Sequence, residues 1–129
     1  MSLIANLIKN ILVRGDFTNC FTKPVSALVC AEPIVLREEG FVRTSRGDGE
    51  ERGTVAVVML VVREDPDAAE SDAISCERLI RGCDWERDAE AWPYRIVGVD
   101  TTAPHFEKRD SSGRYVWKFD IDVTAVRAV

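Results

Sequence analysis

Tyr115-Val116-Trp117-Lys118-Phe119-Asp120-Ile121-Asp122-Val123-Thr124-Ala125-Val126 is the stretch on which the fold turns. Tyr115, Trp117, Phe119, Ile121, Val123 and Ala125 alternate with Val116, Lys118, Asp120, Asp122, Thr124 and Val126. A period of two held this long places the first set on one side of a strand and the second on the other. The aromatic and branched set must be buried, so the segment from Tyr115 to about Ala125 predicts a long strand with one face on a core. Asp110-Ser111-Ser112-Gly113 precedes it. Asp and Ser side chains bond to nearby backbone and Gly supplies positive φ, which predicts a hairpin turn.

Working backwards, His105 to Lys108 predicts the extended partner of that hairpin, and Tyr94 to Val99 another strand, with Thr101, Thr102 and Pro104 between them. Thr54 to Arg63 is nearly continuous Val, Ala, Met and Leu, the composition of a central strand covered on both faces or at a subunit contact. Asp65-Pro66 then opens a helix: Asp is a favoured N-cap, and Pro fits a first turn that does not use its missing N–H. Ala69, Ala73, Cys76, Leu79, Ile80 and Cys83 form its apolar face, with Glu70, Asp72, Glu77, Arg78 and Arg81 mainly opposite. Trp85 and Trp92 fall in the polar connection that follows, either covering the end of the core or anchoring a neighbouring subunit.

In the first half, Leu3, Ile4, Leu7, Ile8, Ile11 and Leu12 recur at helical spacing, with Ser2 available as cap and Arg14-Gly15 as the stop, Gly15 taking the left-handed position. Asp16 to Pro24 reads as loop. Leu28 to Leu36 reads as a strand interrupted by Pro33, an edge strand or two short pieces. Arg37 to Gly53 is the most polar stretch and predicts a long, mobile hairpin loop with short strand ends. The expected fold is α+β: a single domain over residues 1–129, with a four- to five-stranded, mainly antiparallel sheet and two helices packed on one face.

Composition narrows function by exclusion. The chain has 129 residues, 46% hydrophobic and 30% charged, as in an ordinary globular domain. The longest apolar run, Val55 to Val62, is far short of the roughly 20 residues of a membrane-spanning helix. No basic leader precedes Leu3, so secretion is not expected. A net charge of −5 disfavours general attraction to nucleic acid or anionic membrane. Arg37, Arg43, Arg46 and Arg52 cluster, but Glu38, Glu39, Asp48, Glu50 and Glu51 are interleaved with them, the pattern of a solvated loop.

Catalytic and metal signatures are missing. Cys20, Cys30, Cys76 and Cys83 match neither zinc nor Cys-x-x-Cys spacing, and read as free thiols, Cys76 and Cys83 buried; a Cys20–Cys30 disulfide is the alternative. His105 is the single histidine, and no Gly-x-Ser-x-Gly or phosphate-loop pattern occurs. Arg-Gly-Asp occurs at 14–16 and 46–48, a tripeptide short enough to arise by chance. Asp120 and Asp122 share a strand face as a carboxylate pair might, but the aqueous face of a strand ordinarily carries such charges. The expectation is a protein that is not an enzyme and needs no cofactor.

The arrangement as a whole resembles the small tail-terminator and minor tail (head-tail joining) proteins of bacteriophages and prophages. The residues that carry the likeness are the N-terminal amphipathic helix, the middle strand running into Asp65-Pro66, Tyr94-Arg95-Ile96-Val97-Gly98-Val99, Pro104, and Asp110-Ser111-Ser112-Gly113-Arg114 leading into the alternating strand. The likeness covers most of the chain and is weakest between 16 and 53. It implies a subunit that assembles as a ring, commonly a hexamer, caps the tail tube and joins it to the neck or connector, formed in the bacterial cytoplasm and ending in the virion tail. It also implies that hairpin loops make the contacts, here Arg43, Arg46, Asp48, Glu50 and Arg52, and Ser111, Ser112 and Arg114. The second reading is a small intracellular α+β ligand-binding module or enzyme with a pocket near Trp92, His105 and Trp117.

Overall fold

The structure, a computed structural model, describes residues 3–47, 49–85 and 95–128. The chain runs α1 (Leu3–Arg14), β1 (Cys20–Phe21), β2 (Ile34–Glu38), β3 (Val42–Gly47), β4 (Glu50–Arg63), α2 (Pro66–Gly82), β5 (Arg95–Thr101), β6 (His105–Arg109) and β7 (Tyr115–Ala128). The architecture is α+β, with an open, mixed sheet of seven strands. Among the described residues only β1 and β2 pair in parallel, and every other pairing is antiparallel.

Two long strands organise the sheet. β4 and β7 pair along their whole length, from Glu50 opposite Ala128 to Arg63 opposite Tyr115. The outer edge of β4 is shared by β3, against residues 50–54, and β2, against residues 57–61. The outer edge of β7 is shared in the same way by β5 and β6. The expected four to five strands therefore become seven. Two of the lanes are each broken in two, one around Gly40 and one at the Thr102 to Pro104 bend, and β1 is added at the margin beside β2.

Val55, Val57, Met59 and Val61 of β4 face the same way as Phe119, Ile121 and Val123 of β7, and all seven are buried. Ile4, Ile8, Ile11 and Leu12 of α1 and Ala73, Cys76 and Ile80 of α2 complete this core with Ile34 and Leu36. Both helices thus lie on one face, as the alternation required. Asp65 caps α2 in extended conformation, its carboxylate accepting the Ala68 N–H at 2.8 Å. Ser2, the expected cap of α1, lies outside the described residues; Glu38 of β2 reaches across to accept the Ala5 N–H at 2.8 Å, satisfying a first-turn donor.

Four local readings change. The predicted strand over Leu28 to Leu36 starts only at Ile34: Ser26 O accepts the Val29 and Cys30 N–H groups, forming a turn that leaves Leu28 99% exposed. The polar stretch 37–53 is not loop throughout, because its backbone groups are paired as the end of β2, β3 and the first residues of β4. α1 ends with Asp16, not Gly15, in the left-handed position, at φ 67°. Asp16 N–H bonds to Val13 O and Phe17 N–H to Leu12 O, which satisfies the last carbonyls of the helix. Glu77, expected on the solvent side of α2, is buried and pairs with Arg81 at 2.9 Å.

Candidate functional site

The residues expected to make assembly contacts fall in two places. Arg43, Arg46, Glu50 and Arg52 sit together at the corner of the sheet formed by β3 and the start of β4, and all are exposed. Asp48 lies outside the described residues. Ser111 and Ser112 are exposed at the tip of the turn from β6 to β7, at the opposite end of the long strands.

The β3–β4 corner is held by side-chain contacts. Gly53 lies against Phe41, and the Arg127 guanidinium stacks over that ring, 4.1 Å from its centroid. Arg127 also donates its Nε to Glu51, a carboxylate left only 6% exposed, and Arg43 Nη1 approaches the same carboxylate at 3.8 Å. Arg95 of β5 lies 3.9 Å from Glu50. A hollow of about 270 Å³ at this corner is lined by Ser45, Arg46, Gly47, Glu50, Glu51, Arg52 and Val126. All six residues of β3 are exposed, and its pairing with β4 shifts register between Arg43 and Ser45. Such a bulge and flanking arginines blunt an open sheet edge against uncontrolled strand addition.

Arg114 has a different setting from its two serine neighbours. Its side chain is 11% exposed, with Nε donating to Asp110 Oδ2 at 2.7 Å and Nη1 to the carbonyls of Cys30 and Ala31. It ties the hairpin turn to the segment before β2. Burial of the Asp110 carboxyl is outweighed by the N–H groups of Arg114 and Ser112 and by the Arg114 guanidinium, which hold its pKa below the usual value. Arg109 braces the same turn, donating to Gly113 O at 3.2 Å and lying over Tyr115.

Residues of the pocket reading do not converge. His105 opposes Lys118 and Phe106 opposes Trp117, so His105 and Trp117 belong to opposite faces of the sheet. His105 is exposed beside Glu107, while Trp117 packs edge-on to Phe106, and Trp92 lies outside the described residues. Trp85 covers the end of the core and donates its ring N–H to Ile80 O, a terminal carbonyl of α2. On the face away from the helices, Asp122 of β7 directly opposes Asp100 of β5, and the Asp120 N–H bonds to Thr102 Oγ1.

All four cysteines are free, and burial pushes the Cys76 thiol up to about 12 and raises that of Cys20. Among the described residues no group of three or more His, Cys, Asp or Glu is placed to hold a metal ion. None of the described helices is long and apolar enough to cross a membrane. The sequence reading missed Arg95, Arg127 and the Phe41–Gly53 contact, which join residues far apart in the chain and leave no local pattern. It also missed the exposed tip at Leu28 and Val29, whose apolar letters suggested a strand.

No protein-family model and no curated protein matches this chain.

Proposed function

We propose that the chain is a structural subunit of the phage or prophage tail-terminator or minor tail type, which forms a ring at the end of the tail tube and joins it to the neck. The observation that carries this reading is the β3–β4 corner. It is an exposed, arginine-rich sheet edge at the end of the two longest strands, with Arg127, Phe41 and Glu51 packed together beside it. An exposed polar edge suits a protein–protein contact better than chemistry on a small molecule, which needs a concave site with convergent polar groups. The element order that carries the resemblance also supports it: an amphipathic helix, a long strand running into Asp65-Pro66, and a second helix before the alternating strand. A subunit with unlike surfaces at its two ends closes into a ring when the rotation between neighbours permits.

The test is the mass of the purified protein by light scattering over a range of concentrations, followed by electron microscopy after mixing with tail-tube protein. A ring that stops tube growth is the expected result. A strict monomer that leaves tube length unchanged would sink the proposal.

A further inference from the structure

The two ends of the sheet carry opposite charge. Among the described residues of the β3–β4 corner, Arg43, Arg46, Arg52, Arg95 and Arg127 outnumber Glu50 and Glu51; with Arg127 paired to Glu51 and Arg95 near Glu50, the excess is carried by Arg43, Arg46 and Arg52. At the other end of β4, Glu64, Asp65 and Asp67 lead into α2, with Asp16, Glu32 and Asp72 beside them. Arg63 lies among these acids and neutralises Asp72, donating to its Oδ2 at 2.7 Å and to the carbonyls of Glu32 and Val62; Arg109 and Arg114 stand at the same end, Arg114 paired with Asp110, and the acids remain in excess. Asp65 caps the helix and Asp67 faces its positive end, whereas Asp16 and Glu64, both exposed, serve no such purpose.

The basic end is the edge hairpin formed by β3 and the start of β4, and the acidic end holds a groove of about 340 Å³ whose walls include Asp16, Glu32, Arg63 and Asp72. β4 has 14 residues, so the two ends lie roughly 45 Å apart and cannot meet within one molecule. They can meet only between molecules.

We infer that the basic β3–β4 corner of one copy docks into the acidic groove before α2 of a second copy, making a head-to-tail contact. This deepens the ring reading above by naming the two surfaces that join. The contact is heterologous, so each copy uses both ends and the assembly extends until it closes. Complementary charge sets the pairing and its direction, and makes it sensitive to salt.

A charge-swap experiment tests it. Arg46→Glu/Arg52→Glu reverses one end and Asp16→Lys/Glu64→Lys the other, and circular dichroism checks that each variant is folded. Wild type should assemble at about 50 mM salt, with an association constant about tenfold lower at about 500 mM, where screening is nearly complete. Each folded double variant alone should stay monomeric. An equimolar mixture should regain the wild-type assembly mass, because each reversed end then meets a reversed partner. Folded variants that keep the wild-type mass, or a mixture that stays monomeric, would overturn the docking while leaving the ring reading intact. A wild type that is monomeric throughout and leaves tail-tube length unchanged would overturn both.

Discussion

Phe41 lies so close over Gly53 that a Cβ on residue 53 would stand 2.5 Å from the ring Cζ and 2.5 Å from the carbonyl oxygen of Val42. The ring can turn aside, but the carbonyl belongs to the backbone of the neighbouring strand and cannot. Gly53→Ala should therefore cost about 3 kcal/mol through forced separation of β3 from β4. Urea unfolding would measure it. Gly47→Ala, where nothing lies within 4 Å of the added carbon, should cost under about 1 kcal/mol.

Asp110 and Arg114 predict a pH dependence. The folded-state pKa of Asp110 is lowered, so its contribution is fully present above the unfolded value of about 4 and is lost as pH falls through the lower folded value. Wild type should lose stability on acidification in that window, and Asp110→Asn should lose less there while being less stable at neutral pH. Arg114→Ala removes one hydrogen bond to Asp110 within the turn and two that bridge it to Cys30 and Ala31, and should cost about 2 kcal/mol at pH 7. Thermal unfolding between pH 2 and 7 checks both signs.

Asp16 holds a left-handed backbone that glycine adopts without a steric penalty. Asp16→Gly should raise stability by up to about 1 kcal/mol, against the added freedom of glycine in the unfolded chain. Gly15→Ala would bring its Cβ to 2.5 Å from Leu79 Cδ2, the end of a side chain that can turn aside, so it should change stability by less than about 1 kcal/mol. Denaturant midpoints of the two variants would measure both effects.

Thiol labelling should separate the cysteines into two classes. Cys76 is fully buried with a thiol pushed up to about 12, and Cys20 is buried and shifted the same way, so neither should react with a thiol reagent in the folded protein at pH 8. Cys30, partly exposed before β2, should react readily. Cys83 should react more slowly, because it donates to Ile80 O. Mass spectrometry after brief labelling, with and without denaturant, would count them.

Local pattern carried much of this fold. The alternation from Tyr115 placed Phe119, Ile121, Val123 and Ala125 in the core, although Tyr115 and Trp117 are only partly buried and Val116 and Val126 of the opposite set are buried too; the Asp65-Pro66 pair placed the start of α2, and the spacing of Ile4, Ile8, Ile11 and Leu12 oriented α1. Each of these is a short-range consequence of backbone geometry, so the sequence by itself determined them. The candidate surface was legible only as a set of arginines, because its form depends on partners far away in the chain. Arg127 meets Glu51 and Phe41, and Arg114 meets Cys30, across separations that no periodicity records. Tertiary structure alone decided that 42–47 is a paired strand, that Leu28 stands in solvent, and that opposite charges lie at opposite ends of β4. The physical reason is that strand pairing and charge placement depend on which segments meet in space, whereas burial by alternation depends only on the next residue along.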